Sequence, residues 1–197
     1  MRFIKIVTVC FVMLLSYLFS SCSFKDNGAE NLASKLFSNF LMESEYTIST
    51  NGETLSGSAR VNKGKTTRID ILAPDPYTGM SVESDASGAP SILSFSYSGI
   101  NVEFTPEAFS KLNLAFQLMS PKVCAQLEKS KRLKTQAITE AYTLIGLTDI
   151  HPVSIALKNE GDNITFVYDK ATGTPLAMSI ESDNRTLTVK VTKIKFE

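Results

Sequence analysis

The chain has 197 residues and a mass of 21.6 kDa, and its 20 basic and 20 acidic side chains cancel to a formal charge of zero. A hydrophobic fraction of 43% with 20% charged residues excludes a disordered or collagen-like chain, and this length is typical of one domain. The lack of a basic surplus argues against a nucleic-acid partner. One His and three Cys leave too few ligands for a transition-metal site, so we expect no metal and no cofactor.

Residues 1–21 carry the pattern of an export signal. Arg2 and Lys5 precede a mostly apolar run, which is shorter than the about 20 residues that a membrane span needs. Small residues then lead to Cys22, as in the lipobox of bacterial lipoproteins, in which the thiol is diacylated, for example with palmitate. Phe19 stands where that pattern usually has an aliphatic residue.

Two interpretations of Cys22 stay open. In the first, Cys22 is the lipid attachment site, residues 22–30 form a lipidated tether, and residues 31–197 form a single domain on the extracytoplasmic face of the cell membrane. Two acyl chains hold a protein stably at a membrane. In the second, the signal is an ordinary secretory one and the Cys is incidental. With Cys22 acylated, Cys124 stands alone in the mature chain, so no intrachain disulfide is expected.

The mature chain begins with an amphipathic helix and continues with strands. Leu32, Leu36 and Phe40 at four-residue steps predict a helix over residues 31–45. Alternating apolar residues between turn signals such as Asn51-Gly52 predict the strands that follow. The predicted strands span residues 46–50, 53–61, 66–72, 80–83, 91–97 and 100–104, and later 153–157, 164–168, 176–181 and 186–196.

A helical insertion separates the two groups of strands. Thr105-Pro106 and Ser120-Pro121 are each a hydroxyl cap followed by proline, which predicts two helices, the second ending near Lys134. Residues 137–145 stay ambiguous. In the last strand, Ile194 and Phe196 fall out of phase with the preceding apolar residues, which predicts a bulge near Thr192.

This order of elements predicts an α+β, mainly β fold. Enough consecutive strands to curl, with helices available to cover one opening, indicate a curved antiparallel sheet or half-barrel wrapped around a helical plug. Two separate domains are the weaker alternative, because no Gly/Ser-rich or charged linker divides the chain.

Several segments resemble the LolA/LolB-like superfamily of lipoprotein-localisation factors. They are Leu55-Ser-Gly-Ser-Ala-Arg-Val, the strand Thr67-Arg-Ile-Asp-Ile-Leu-Ala-Pro, and the hairpin from Asp169 to Gly173-Thr-Pro-Leu. The resemblance covers most of residues 31–197. It implies a curved sheet around helices with an apolar cavity for acyl chains. The superfamily includes lipid carriers, sigma-factor regulators and a spore-germination lipoprotein that assists a cortex amidase, so lipid transfer and protein binding both stay open.

The sequence lacks the spacings of known catalytic sites, so no catalytic residue is predicted. His151 is the only imidazole, and a lone loop histidine is usually structural or solvated. Asp169-Lys-Ala-Thr-Gly-Thr is similar to the phosphorylation motif of P-type ATPases, but Ala171 interrupts it. A hairpin turn is the simpler interpretation of that segment.

The most informative apolar set lies around the first predicted insertion helix. We expect it to face the sheet either as a packed core or as the wall of a cavity for an acyl chain, and sequence does not separate a filled barrel from a hollow one. The cavity hypothesis names Phe95, Tyr97, Val102 and Phe104 from the sheet with Phe109, Leu112, Phe116 and Met119 from the helix.

One basic run, Lys129, Lys131, Arg132 and Lys134, ends the second predicted helix. A solvated helix C-terminus explains it, since cations are favoured there. Contact with anionic lipid headgroups at the membrane surface is the functional alternative.

Three functions follow in order of preference. The first is a lipid-anchored envelope protein that binds a lipid or acyl chain without catalysis. The second is an interaction module that holds or activates an envelope enzyme, such as a cell-wall or spore-cortex amidase. An enzyme comes third, because no catalytic constellation is visible.

Overall fold

The structure is a computed structural model that describes residues 28–63, 65–75, 77–84, 90–95, 127, 135–159 and 161–197. Within these ranges one helix and ten strands are found. They are α1 (Gly28–Phe37), β1 (Phe40–Thr50), β2 (Glu53–Asn62), β3 (Thr66–Ala73), β4 (Met80–Ser84), β5 (Pro90–Phe95), β6 (Gln136–Ala137), β7 (Pro152–Asn159), β8 (Asp162–Asp169), β9 (Pro175–Ser182) and β10 (Arg185–Phe196). No helix in the described ranges is long and apolar enough to cross a membrane.

All ten strands form one antiparallel sheet in the order β5-β4-β3-β2-β1-β10-β9-β8-β7-β6. Each half is a meander, and the two halves join where the first strand pairs with the last. That central ladder runs from Phe40 opposite Phe196 to Thr50 opposite Arg185. The mainly β, antiparallel class predicted from the sequence is thus confirmed.

One face of the sheet is apolar across nearly all of its strands. Residues directly opposite each other on neighbouring strands share a face, so buried positions line up in rows. One row joins Ala59, Ile69 and Val82, and another joins Leu157, Ile164 and Ile180. The buried members of this apolar face include Phe40, Met42, Tyr46, Ile48, Ile71, Met80, Val153, Ile155, Phe166, Tyr168, Met178, Leu187, Val189 and Val191.

Helix α1 packs one side onto this apolar face. Its buried residues Ala29, Leu32, Ala33 and Leu36 recur at helical spacing and belong to the same hydrophobic cluster as the sheet. Lys63 in the β2–β3 turn donates its Nζ–H to the carbonyl oxygen of Leu36, which satisfies one of the free carbonyls at the helix C-terminus.

The predicted turns and bulge are confirmed. Asn51 and Gly52 both have positive φ, at 49° and 86°, as a tight turn with a primed geometry requires. The register between β1 and β10 shifts where Glu43 faces Lys193 and Ser44 faces Val191, so Thr192 is the extra residue of a bulge. Turns also lie at residues 161–162, 172–173 and 183–184, in the gaps between the strands that the sequence predicts.

The predicted boundary between the first helix and the first strand is wrong. The sequence predicts helix to residue 45, whereas α1 ends at Phe37 and β1 begins at Phe40. From Phe40 to Ile48 every second residue is buried, which is the period of a strand. Because β1 is the central strand and pairs on both sides, two complete ladders override the local helical spacing.

The helical plug remains a prediction. Both predicted insertion helices fall in residues 96–134, of which only Leu127 is described. Leu127 is helical, fully buried and part of the core cluster. The predicted strand over residues 100–104 also lies outside the described residues, and residues 136–137 of the neighbouring segment form the short strand β6.

Candidate functional site

One tyrosine and one glycine pack against each other at the centre of the apolar face. Tyr46 on β1 lies opposite Gly57 on β2, and Gly57 in turn lies opposite Ile71 on β3. The Tyr46 hydroxyl crosses β2 and donates to the carbonyl oxygen of Asp70 at 3.3 Å. A Cβ on residue 57 would lie 2.0 Å from that oxygen and 2.6 Å from the Tyr46 hydroxyl, so only glycine fits.

Burial determines the ionisation of this tyrosine. Tyr46 is buried among apolar side chains, which raises the pKa of its phenol, and the charge of Asp70 raises the pKa further. The hydroxyl therefore stays a neutral hydrogen-bond donor. The centre of the face holds no ionised group and is suited to apolar contacts.

A buried carboxylate organises the turn between β8 and β9. The Oδ1 atom of Asp169 accepts from the backbone N–H of His151 at 2.9 Å, and its Oδ2 atom accepts from the backbone N–H and the hydroxyl of Thr172 at 2.9 and 2.6 Å. Burial by itself would raise the pKa of Asp169, but these bonds, with one more from the Ala171 backbone, outweigh it and hold the pKa below its ordinary value.

The same turn is joined to helix α1 by a chain of hydrogen bonds. The Nζ atom of Lys35 donates to the Thr174 hydroxyl at 2.7 Å, and the two hydroxyl oxygens of Thr174 and Thr172 are 2.9 Å apart. Since Thr172 donates its proton to Asp169, Thr174 is the donor between the two threonines. Burial lowers the pKa of Lys35, and the negative charge of Asp169 partly offsets this.

These bonds settle the interpretation of the segment that is similar to a phosphorylation motif. Both oxygens of Asp169 are occupied by donors of its own turn and of the strand entrance, and Asp169 is only 2% exposed. The Asp169 carboxylate is therefore a structural acceptor, and the prediction of a hairpin turn is confirmed. His151 contributes its backbone N–H to the same arrangement.

The segment between β6 and β7 lines a cavity of about 370 Å³. Residues 138–143, 147, 149, 150 and 152 form its wall. Within it the Tyr142 hydroxyl donates to Glu140 Oε2 at 3.1 Å. Burial, that hydrogen bond and the charge of Glu140 together raise the pKa of Tyr142 to about 12. The sequence did not indicate this cavity, because the segment has neither helical nor strand periodicity.

Most of the predicted site residues lie outside the described ranges. This applies to Cys22, to the basic run of residues 129–134, and to every predicted cavity residue except Phe95. Phe95 ends β5 and lies opposite Met80, a buried member of the apolar face. The described parts of the chain contain no group of three or more His, Cys, Asp or Glu residues that could hold a metal ion.

Sequence analysis missed the pairing of Tyr46 with Gly57 and the link from Lys35 to Asp169. A glycine inside a predicted strand was the available signal for the first, since it indicates a close approach by another group. No signal was available for the second, because Lys35 and Asp169 are far apart in the chain and only the fold brings them together.

No protein-family model matches the sequence, and no curated protein matches it either. Among solved structures, LprF from Mycobacterium bovis has a TM-score of 0.44 at 8% identity and covers 85% of this chain and 91% of its own. A LolA superfamily protein from Nitrosomonas europaea has a TM-score of 0.32 at 7% identity, with coverage of 88% and 93%. A LolA superfamily protein is thus among the solved structures to which this chain is similar.

MucB in complex with MucA(peri) has a TM-score of 0.42 at 13% identity and covers 87% of this chain. The alignment covers 56% of that MucB chain, and 60% of the MucB chain solved alone. At such identities and TM-scores the likeness concerns the fold only, so function is inferred below from this chain's own residues.

Proposed function

We propose that the protein is a membrane-anchored, extracytoplasmic lipoprotein that binds a lipid or acyl chain between its sheet and its helices, without catalysis. One observation carries the proposal: the apolar face is far wider than the described helix. A helix of ten residues is about 15 Å long, whereas ten strands span about 43 Å. Most of the apolar face must therefore be covered by an apolar layer other than α1.

The insertion helices predicted over residues 105–134 are the proposed layer. Leu127 supports this, since it is helical, fully buried and part of the sheet's hydrophobic cluster. The acyl chain would lie between this layer and the strands, against Phe95, Tyr97, Val102 and Phe104 on one side. Phe109, Leu112, Phe116 and Met119 would line the other side. A chain of sixteen carbons gains about 10 kcal/mol on leaving water.

The proposed membrane anchor is a diacylated Cys22, which becomes the first residue after removal of residues 1–21. Two acyl chains hold a protein at the bilayer where a single chain binds only reversibly. Metabolic labelling with radioactive palmitate tests the anchor. Label in the wild type that is lost in Cys22→Ser would support it, and an unlabelled wild type would contradict it.

Native mass spectrometry of the unlipidated chain from Ser23 to Glu197, purified gently from bacteria, tests the ligand. We expect a mass increment equal to one fatty acid or phospholipid, removable with organic solvent. Leu112→Gln with Phe116→Gln should abolish the increment, whereas Leu72→Gln with Tyr77→Gln, at exposed positions, should keep it. A folded wild type with a bare mass that takes up no added palmitate would contradict lipid binding.

Binding of an envelope protein is the second candidate, and the β3–β4 loop favours it. Leu72 near the end of β3 and Tyr77 in the loop that follows are 59% and 46% exposed, although both are large and hydrophobic. Exposed hydrophobic side chains close together are typical of protein interfaces. Crosslinking on cells from position 77 should capture one partner reproducibly, such as a cell-wall enzyme, and Leu72→Ser should abolish the capture while the lipid increment remains.

A further inference from the structure

Helix α1 lies across one end of the sheet. Near its start it contacts the β8–β9 turn, where a Cβ on Gly173 would lie 2.7 Å from the Cβ of Asn31. At its C-terminus it reaches the β2–β3 turn through the bond from Lys63 to Leu36. We call this end, bounded by residues 62–66 and 169–175, the helix end.

Three exposed lysines form a row along the helix end. Lys65 lies in the β2–β3 turn, Lys170 lies in the β8–β9 turn, and Lys195 is the second-last residue of β10, whose C-terminus is at the same end. From Lys65 to Lys170 the strand order covers about four strand spacings, or about 19 Å. Asp169 is the acid inside this row, and its carboxylate oxygens are occupied by the hydrogen bonds of its own turn. Glu197 also lies within the row, directly after β10 and two residues beyond Lys195, and Glu30 lies in the first turn of α1.

The start of α1 limits the distance from the helix end to an anchor at Cys22. The helix begins at Gly28, six residues after Cys22. Six residues span at most about 21 Å even when fully extended. A lipidated Cys22 therefore keeps the helix end within about 20 Å of the lipid surface, whereas the opposite end of the sheet, a strand length or about 30 Å from the helix end, is not held by the tether.

We propose that the helix end is the membrane-facing surface of the lipidated protein and that Lys65, Lys170 and Lys195 contact anionic lipid headgroups. The inference rests on the lipid anchor of the proposed function. Anionic headgroups attract lysines that come within a Debye length, about 8 Å at physiological salt, and the short connection to the anchor permits that approach. Leu72 and Tyr77, at the opposite end, then point away from the bilayer.

Energy transfer from a fluorescent label to an acceptor lipid tests the orientation. The lipidated chain, with Cys124→Ala, carries a single new cysteine at the helix end (Thr66→Cys) or at the far end (Asn184→Cys); both positions are exposed. In vesicles of phosphatidylglycerol and phosphatidylcholine, we expect clearly greater transfer from position 66. Equal transfer from the two positions would overturn the orientation.

Charge reversal tests the lysines. Lys65→Glu with Lys170→Glu should reduce transfer from position 66, with about a fivefold loss of the docked population for each lysine. Lys158→Glu with Arg185→Glu is the matched control, because it changes the net charge equally at exposed positions near the far end, and it should have no effect. In vesicles of pure phosphatidylcholine the two double variants should behave alike. Equal effects of both in the anionic vesicles would overturn the lysine contact.

Flotation with the vesicles separates this inference from the anchor. If the lipidated chain does not float with vesicles, the anchor is wrong and the membrane-facing surface is wrong with it. If the chain floats but positions 66 and 184 give equal transfer, the anchor stands and the orientation alone is wrong.

Discussion

The two halves of the sheet differ in the burial of their outer faces, which lie opposite the apolar face. In β1 and β3 the residues opposite the apolar face, such as Glu45, Thr47 and Arg68, are exposed. In β8 and β9 the corresponding residues, Val167 and Ala177, are buried as well. The outer face is therefore exposed at these positions of the N-terminal half, whereas it is covered around Val167 and Ala177 in the C-terminal half.

The segment before β7 packs against the C-terminal half. Its Leu144 is buried, its Ile145 N–H donates to the Thr192 carbonyl oxygen, and the Tyr142 ring lies 6.0 Å from the Nζ atom of Lys190. Lys190 alternates with the buried Val189 on β10 and so marks the outer face. The outer face of the C-terminal half is thus covered only in part, and it is exposed elsewhere, as at Thr188 and Lys190.

The largest effect on stability is expected when a charged side chain is placed on the outer face of each half and the two losses are compared. Val167→Asp places a carboxylate at a buried outer position of the C-terminal half and should lower the free energy of unfolding by about 4 kcal/mol. Thr47→Asp, at an exposed outer position, should cost less than about 1 kcal/mol. Urea denaturation measures both. Similar losses in the two variants would remove the distinction between the halves.

The N-terminal half should be most sensitive at its centre. Gly57→Ala forces a Cβ against the Asp70 carbonyl oxygen, so strands β2 and β3 must move apart, at a cost of about 3 kcal/mol. Ser58→Ala, the next residue on the opposite face, should stay within about 0.5 kcal/mol. Thermal denaturation of the two variants measures this difference. A Gly57→Ala protein as stable as the wild type would show that the Tyr46 side chain can adopt another position.

Asp169→Asn tests the link between helix α1 and the C-terminal half. The amide cannot accept all of the bonds that are donated to the carboxylate, so we expect a loss of about 1–3 kcal/mol at neutral pH. Because the folded pKa of Asp169 is lowered, its stabilising contribution is complete above the unfolded value of about 3.9 and is lost as pH falls through the folded value.

The difference in stability between wild type and Asp169→Asn should therefore shrink below about pH 4. Urea denaturation over an acid pH series measures it. A difference that stays constant down to the lowest pH would contradict the role of the charge.

Tyr142→Phe should have the smallest effect, below about 0.5 kcal/mol, because the hydroxyl contacts only the side chain of Glu140 at the surface. Ultraviolet titration should lose one phenol that ionises at about pH 12. In Glu140→Gln that phenol should instead ionise at lower pH, since the neighbouring negative charge is removed. An unchanged titration curve in both variants would contradict the contact.

Strands and turns could be predicted well because their signals are local. Asn51-Gly52 predicts a tight turn, and the phase change at Thr192 predicts a bulge. The structure has both features at these positions. The helix boundary could not be predicted, because residues 40–45 satisfy both periods and only pairing with β10 decides between them. Long-range pairing of this kind leaves no trace in a local window.

The candidate site was less predictable than the fold. Alternation identifies which residues are buried, but it does not tell which distant side chains meet. Lys35 reaches Thr174 across most of the chain, and Tyr46 reaches Asp70 across an intervening strand. Both contacts depend on strand order, which single-sequence patterns do not fix.

The pairing of β1 with β10 has a consequence for how the chain folds during synthesis. The central ladder joins the first and last strands, so it cannot form until β10 has emerged. A chain that leaves the ribosome or a membrane channel with its N-terminus first therefore lacks the middle of its sheet until the final residues arrive. Such high contact order slows folding. The same topology delays completion of the sheet until β10 has been synthesised.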